Sequence, residues 1–387
     1  MDRYYFDHNA TTPVSPEVLE TLAGTLRDVH GNASSIHHFG QVAKQRLEQA
    51  RRQTAALLGC DTKELVFLSG GTEADNLAIL GAVRTHASRS KHVITTQIEH
   101  PAVLNTCAQL EREGVAVTYA RAGENGVVDP AEIRRSLRPG TVLISAMHAN
   151  NETGASQPIG AIAKIAREAG ALFHVDGVQA AGKIPVDVKD LGVDLYSISG
   201  HKFYAPKGIG ALYVRKGTKL RPIQFGGKHE REWRPGTENV PGAVALGCAA
   251  ELAARNPQEE SLRLGALRDR LEHGILDRIP STGVNAGRSP RTPNTTNIYF
   301  DGIEGEALVI SLDLKGFAVS SGSACSSGSV EPSHVLLAMG LTPERARASL
   351  RFSLGRSNDE RQVDALIDAV VESVSHLRKL SPTYTSA

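Results

Sequence analysis

From Glu64 to Val214, short apolar runs alternate with amphipathic stretches along the chain. The strand-like runs are Glu64–Leu68, His92–Thr96, Val115–Tyr119, Thr141–Met147, Leu172–Val175, Leu195–Ile198 and Gly210–Val214. Between them, Glu73–Thr85, Ala102–Glu113, Pro130–Leu137 and Ile159–Ala169 read as helices. Such alternation predicts an α/β fold, with a largely parallel sheet covered by helices on both faces. Loops that carry chemistry then gather at the strand ends of one edge.

The flanks read differently. Residues 1–14 look like an arm, with a short strand at Tyr4–Phe6. Ser15-Pro16-Glu17 opens a helix, with a capping serine and proline at its first position. Gln41 to Leu58 is periodic and charged, a surface helix. His37 and His38 end a polar loop with no third ligand nearby, so a solvated or entrance loop is favoured over a metal site. Asn256-Pro257 marks a boundary. Beyond it, Leu262–Arg278, Glu304–Leu312 and His334–Met339 read as helices, and Asn297–Phe300 and Phe317–Ser320 as strands. The expected division is a large domain over 15–256 and a smaller α+β domain from 1–14 and 257–387. The tail from Ser381 is expected to fray.

Composition adds limits. Of 387 residues, 41% are hydrophobic and 22% charged, which suits a globular enzyme. A formal charge of +1 gives no footprint for nucleic acid or an anionic membrane. No apolar run is long enough to span a bilayer, and Met1-Asp-Arg-Tyr-Tyr-Phe-Asp has no signal-peptide core. Four scattered cysteines suggest neither a disulfide framework nor a metal-binding pair, so a reducing cytoplasm is expected.

Candidate chemistry centres on Lys202. The apolar run Leu195–Ile198 ends in Ser199-Gly200-His201-Lys202, and Pro206, Gly208 and Gly210 turn the chain. Burial disfavours the ammonium form, and a neutral lysine can form a Schiff base with an aldehyde. The bland reading is a lysine that snorkels to solvent. Upstream, the run 171–175 ends in Asp176, either a turn residue or the partner of a pyridinium nitrogen. Ser69-Gly70-Gly71-Thr72 lies between a strand and a helix, where backbone N–H groups can meet a phosphate. It is neither a Walker A loop nor a dinucleotide fingerprint.

Ten segments in order now carry a resemblance. They are Asp7–Pro13, Gly31–His37, Ser69–Glu73, Glu99–Val103, Asn150–Gly154, His174–Gln179, Ser199–Lys202, Arg234–Glu238, Ser320–Cys325 and Arg351–Gly355. Together they resemble the class V, fold-type I enzymes that use pyridoxal 5'-phosphate (PLP), and among them the cysteine desulfurases. The wording around Glu99, His201 and Glu331 looks most like the NifS, or nitrogen-fixation, branch.

That resemblance implies a seven-stranded large domain and a homodimer with shared sites. It implies conversion of L-cysteine to L-alanine, with the sulfur left on Cys325 as a persulfide for an iron–sulfur scaffold protein. Lys202 would hold PLP and Asp176 its ring nitrogen. Gln179 and Asn151 would meet the phenolic oxygen. Gly71, Thr72, Ser199, Gly200 and His201 would form the phosphate cup, completed by Thr237 of a neighbouring subunit. His100 would stack on the ring and move protons, and Arg351 would clamp the substrate carboxylate with Asn151 beside it. No intrinsic metal is implied, although Cys325 could ligate a cluster transiently.

The residues around Cys325 agree with such a role. Ser320–Ser329 is almost all small side chains and cannot bury an apolar face, so the loop is expected to be exposed and mobile. Cys60, Cys107 and Cys248 sit in helical or helix-end surroundings and read as structural. An aminotransferase needs no such mobile thiol, whereas a selenocysteine lyase shares these features. A sulfur-transfer scaffold with a dead site is a third alternative. Lys228, Trp233 and Gly177 depart from common family residues.

Overall fold

The computed structural model describes residues 3–87, 90–321 and 331–381. Twelve strands are found there: β1 Tyr4–Tyr5, β2 Leu65–Leu68, β3 His92–Thr96, β4 Ala116–Ala120, β5 Thr141–Met147, β6 Leu172–Asp176, β7 Leu195–Ser199, β8 Gly210–Val214, β9 Thr282–Val284, β10 Thr295–Phe300, β11 Phe317–Ala318 and β12 Ser349–Ser353. Strands β2 to β8 form one seven-stranded sheet in the order β2-β8-β7-β6-β5-β3-β4. The neighbours from β4 to β7 run parallel, and β8 is antiparallel to both β7 and β2.

Neighbouring residues on these strands bury into opposite faces. Leu195, Val93, Leu143 and Leu212 join one apolar cluster, while Tyr196, Ile94, Ile144 and Tyr213 join another. The sheet is therefore dry on both sides, which is why its strands read as unbroken apolar runs. Helix Gly71–Val83 covers the first face with Ala74, Leu77 and Ala78. Helix Ile159–Ala169 covers the second with Ile159, Ile162 and Ala166. The register sets Met147 beside Asp176 and Asp176 beside Ser197, so β5, β6 and β7 end nearly level.

A third cluster lies under the three-stranded sheet β12-β10-β9. Helices Pro257–Leu276, Gly305–Leu314 and Glu360–Leu380 supply most of its remaining apolar side chains. The arm joins it: β1 pairs with β11, and Phe6 is fully buried there.

Strand β9 and the short helices Val188–Leu191 and Pro343–Arg347 were not predicted, and three further elements differ from expectation. The helix predicted from Gln41 starts at His38, because His37 caps it by accepting the Gly40 N–H on its ring nitrogen at 3.3 Å. The strand predicted over Phe317–Ser320 stops at Ala318, and Ser320 instead exchanges backbone hydrogen bonds with Arg351. Helix Glu360–Leu380 was not predicted. Its buried Val363, Leu366, Ile367, Val370 and Val374 follow helical spacing, but charged residues between them dilute the stripe.

Candidate active site

Three strand ends bring the chemistry together. β7 runs into a single helical turn, Gly200–Lys202, that turns the lysine back over the sheet edge. Gly200 is needed there: a side-chain β-carbon would sit 2.9 Å from that of Ala205 and 3.0 Å from Leu246 Cδ1. The turn is pinned to the arm, since the Thr12 N–H and hydroxyl both donate to the His201 carbonyl, at 2.8 and 3.1 Å. His201 Nδ1 lies 3.1 Å from Thr11 Oγ1. Lys202 Nζ donates to the carbonyls of Asn9 and Ala10, at 2.7 and 2.8 Å.

Asp176 closes β6 and is buried. Its Oδ1 accepts the Val178 N–H at 2.9 Å, which orients the carboxyl. Burial raises its pKa to about 6, Asp75 adds to the rise, and His100 opposes it. A carboxylate held in this way gains from a cation delivered to it.

His100 caps helix Pro101–Arg112, accepting the Ala102 N–H on Nδ1 at 3.1 Å. That bond fixes the tautomer: the neutral ring carries its proton on Nε2. Burial lowers the His100 pKa, with Asp176 opposing and Lys202 and His334 adding to the fall. The preceding Glu99 is fully buried, and burial raises it to about 8.

Helix Gly71–Val83 begins at Gly70 without any side-chain cap. Its first N–H groups are therefore free of intrahelical partners and open to an anion. A β-carbon on Gly70 would lie 3.6 Å from Ser199 Oγ, and one on Gly71 would lie 2.7 Å from Val178 Cγ2. The helix start, Ser199 and the residues after Asp176 thus form one small-walled cradle, with Thr72 on the first turn.

Asn151 sits on a turn held by Asn150, whose Oδ1 accepts the N–H groups of Glu152 and Thr153 at 2.9 and 3.0 Å. Arg351, on β12, is buried. Its Nη1 donates to the Asn151 carbonyl at 3.0 Å and its Nη2 to Asp7 Oδ1 at 2.7 Å. Nε has no partner among the described residues. Gln179 donates through Nε2 to the Asn9 carbonyl at 3.0 Å.

Thr237 is the exception among the predicted residues. It is exposed, and no hydrogen bond or ion pair among the described residues ties it to the lysine turn. The segment before it is tied down, since Arg234 Nε lies 3.2 Å from Glu73 Oε1. Cys325 falls within 322–330, outside the described residues. Burial pushes the thiols of Cys60 and Cys107 up to about 12, which makes them poor nucleophiles. Cys248 is half-buried on helix Val240–Arg255. No group of three or more potential metal ligands occurs, and no helix is long and apolar enough to cross a membrane, both among the described residues.

Two residues escaped the sequence reading. Asn9 is buried, and all its polar atoms are used. Its N–H donates to Ser353 Oγ at 3.0 Å, and its amide to the Asn151 carbonyl and Thr295 Oγ1 at 3.1 and 2.9 Å. Its Oδ1 accepts from Lys183 Nζ and Asn294 Nδ2, at 2.8 and 3.1 Å. Lys183 donates its other bond to Gln179 Oε1 at 2.5 Å. The four-residue spacing of Gln179 and Lys183 was the only signal in the sequence.

The class-V aminotransferase family model matches residues 4–366. The chain is 52% identical over 382 residues to a cysteine desulfurase of Trichormus azollae, covering 99% of this chain and 95% of that one. A solved structure of a NifS-like protein superposes with a TM-score of 0.91 at 37% identity, covering 97% of this chain and all of that one. A solved structure of SspA in complex with cysteine gives a TM-score of 0.81 at 38% identity, covering 90% and 98%. On this strand order, this cradle and this likeness over nearly its whole length, the chain belongs to the class-V aminotransferase family and, within it, to the cysteine desulfurases.

Proposed function

We propose that this cysteine desulfurase binds PLP through Lys202 and passes the sulfur of L-cysteine to Cys325 as a persulfide, releasing L-alanine. The convergence of Lys202, Asp176 and His100 at neighbouring strand ends carries this proposal. The likeness to SspA, solved with cysteine, supports the substrate. The residues present fit the cofactor. Among the described residues no ion pair engages the buried Asp176 carboxyl, and an uncapped helix start faces Ser199 across a cradle too narrow for larger side chains.

When bound, PLP withdraws electrons from the substrate α-carbon. Lys202 would hold its aldehyde carbon, Asp176 its ring nitrogen, and Gln179 and Asn151 its phenolic oxygen. Gly71, Thr72, Ser199, Gly200 and His201 would hold its phosphate, with Thr237 supplied by a second subunit of a homodimer. His100 moves protons at Nε2, because Nδ1 is committed to the helix cap. Arg351 offers its guanidinium to the substrate carboxylate next to Asp7. The Cys325 thiolate attacks the substrate sulfur: an S–S bond forms, the C–S bond breaks, and its electron pair stays on the carbon skeleton, which takes up protons to become alanine.

We further propose a cytoplasmic homodimer whose persulfide goes to an iron–sulfur scaffold protein in nitrogenase cluster assembly. The proposed division into 15–256 and 1–14 with 257–387 has its support in the separate apolar cluster under β12-β10-β9.

Alanine and sulfide released from L-cysteine test the core of this, with and without a reducing thiol. Wild type should release both, and Cys325→Ala neither. A Cys325→Ala enzyme as fast as wild type would remove Cys325 from the reaction.

A further inference from the structure

Two lysine nitrogens sit on one buried asparagine. Lys202 bonds the Asn9 backbone carbonyl, and Lys183 bonds the Asn9 side-chain oxygen. Both acceptors of Lys183 are uncharged amide oxygens, on Asn9 and Gln179. No carboxylate lies within ion-pair distance of Lys183 among the described residues. Lys202, Arg351, His8 and His201 bear on it directly, none of them an acid, and the cavity it shares with Lys202 is also lined by Tyr204, Arg255, Arg356 and Glu260, the last engaged by Arg263 at 2.8 Å. Asp7, the acid on the neighbouring arm, is engaged by Arg351 at 2.7 Å. A second cation placed here gains nothing for folding, because a buried charge without a counter-charge is costly.

We propose that Lys183 is a positioning residue: seated on the same asparagine as Lys202, it shares with it a pocket in which two ammonium groups oppose each other, so that a proton carried by Lys183 leaves Lys202 as the neutral amine that can bond the cofactor aldehyde. A cation beside a lysine disfavours a second ammonium and leaves the amine nucleophilic. The like-charge effect is mutual, and burial together with Lys202 and Arg351 depresses Lys183 itself. Lys183 also fixes the Gln179 amide, since Oε1 faces the ammonium and Nε2 is left to donate. The proposal rests on Lys202 being the cofactor-bearing lysine.

The test is cofactor capture by full-length protein stripped of PLP. PLP is added across a range of pH, the bond is trapped with borohydride, and the rate is plotted against pH. Wild-type capture should rise through the Lys202 midpoint. Lys183→Gln keeps donors for both carbonyls but removes the charge, so its midpoint should move up by about one to three pH units. At a pH below both midpoints, capture should then be about tenfold slower or more. Lys183→Arg restores the charge and should return the midpoint towards wild type. A Lys183→Gln midpoint equal to wild type, in protein with an unchanged circular dichroism spectrum, overturns the proposal. Lys202→Ala separates the two readings. Trapping that persists in Lys202→Ala sinks the assignment of Lys202, whereas trapping lost there leaves Lys183 to be judged on its own midpoint.

Discussion

A carboxyl group at the Glu99 position meets two donors on one oxygen and none on the other. Thr96 Oγ1 and the Met147 N–H reach Oε1 at 2.6 and 2.8 Å, while Oε2 is buried without a partner among the described residues. Burial raises its pKa to about 8. The folded state therefore holds a proton that the unfolded state has lost above the ordinary carboxylate range. That stabilisation is complete below a pH of about 4.5 and disappears as pH rises through about 8. Glu99→Gln should remove this slope, so between about pH 5 and 8 the variant should gain on wild type by roughly a few kcal/mol. Thermal melts at several pH values would show it, and parallel curves would refute it. The buried His92, His148 and His174, each lowered to about 4, act oppositely, and their stability is lost as pH falls below about 6.5. They are common to both proteins and cancel in the comparison. At the proposed substrate clamp, Asp7 accepts from one arm of Arg351. Asp7→Asn should loosen that pairing and change KM for cysteine by about threefold to tenfold, with a smaller change in kcat. An effect on kcat alone would argue against a carboxylate clamp. Strand-end residues such as Lys202 and Asp176 were legible because a polar group terminating an apolar run stands out. Asn9 and Lys183 were not. Their partners lie up to 344 residues away in the chain, and no local pattern announces such contacts.

At the scale of elements, the structure gives a packing reason for the glycine after Asp176. A β-carbon on Gly177 would fall 1.9 Å from Tyr196 Cε1. The Tyr196 ring fills that room from β7, and its hydroxyl is 2.8 Å from His148 Nδ1. The His148 N–H in turn donates to the Asp176 carbonyl at 2.8 Å. Gly177 and Tyr196 are thus one packing solution shared by two strands. Gly177→Ala alone should destabilise by about 1–3 kcal/mol or more through overpacking. Gly177→Ala with Tyr196→Leu should recover much of that loss, a coupling measurable by a double-mutant cycle in denaturant. Additive effects would mean the two sites are independent. The strands of the seven-stranded sheet were legible almost to the residue, because burial on both faces makes most of those runs apolar throughout, whereas the half-buried β9 was missed. The last helix was missed for the opposite reason: it buries one stripe and leaves charges on the rest.

For the whole molecule, the proposed homodimer makes its own demand. Thr237 is exposed, and Ile36, Phe39 and Phe225 are large apolar side chains left exposed on one protomer. Singly exposed apolar residues are ordinary, but Ile36 and Phe39 lie in or beside the Gly31–His37 segment, and Phe225 precedes the stretch that leads to Arg234–Glu238. Phe225→Asp should shift wild-type dimers towards monomer in light scattering at micromolar concentration and weaken PLP retention. Monomeric wild type, or a variant that stays dimeric and retains PLP, would count against a shared site. Composition suited a globular enzyme, yet it said nothing of how the arm and the later third of the chain meet.

Asn9 draws residues from the beginning, middle and end of the chain into one set of hydrogen bonds. Its partners include Gln179, Lys183, Lys202, Asn294 and Ser353. A ribosome adding about 5–20 residues per second needs roughly 17–70 s to make the 344 residues between Asn9 and Ser353. For all of that time the arm lacks its last partner, however early the central sheet forms. Completion of this network is then a late event in the life of the polypeptide, and the proposed cofactor capture, which leans on Asn9 through Lys202 and Lys183, is expected to follow synthesis rather than accompany it.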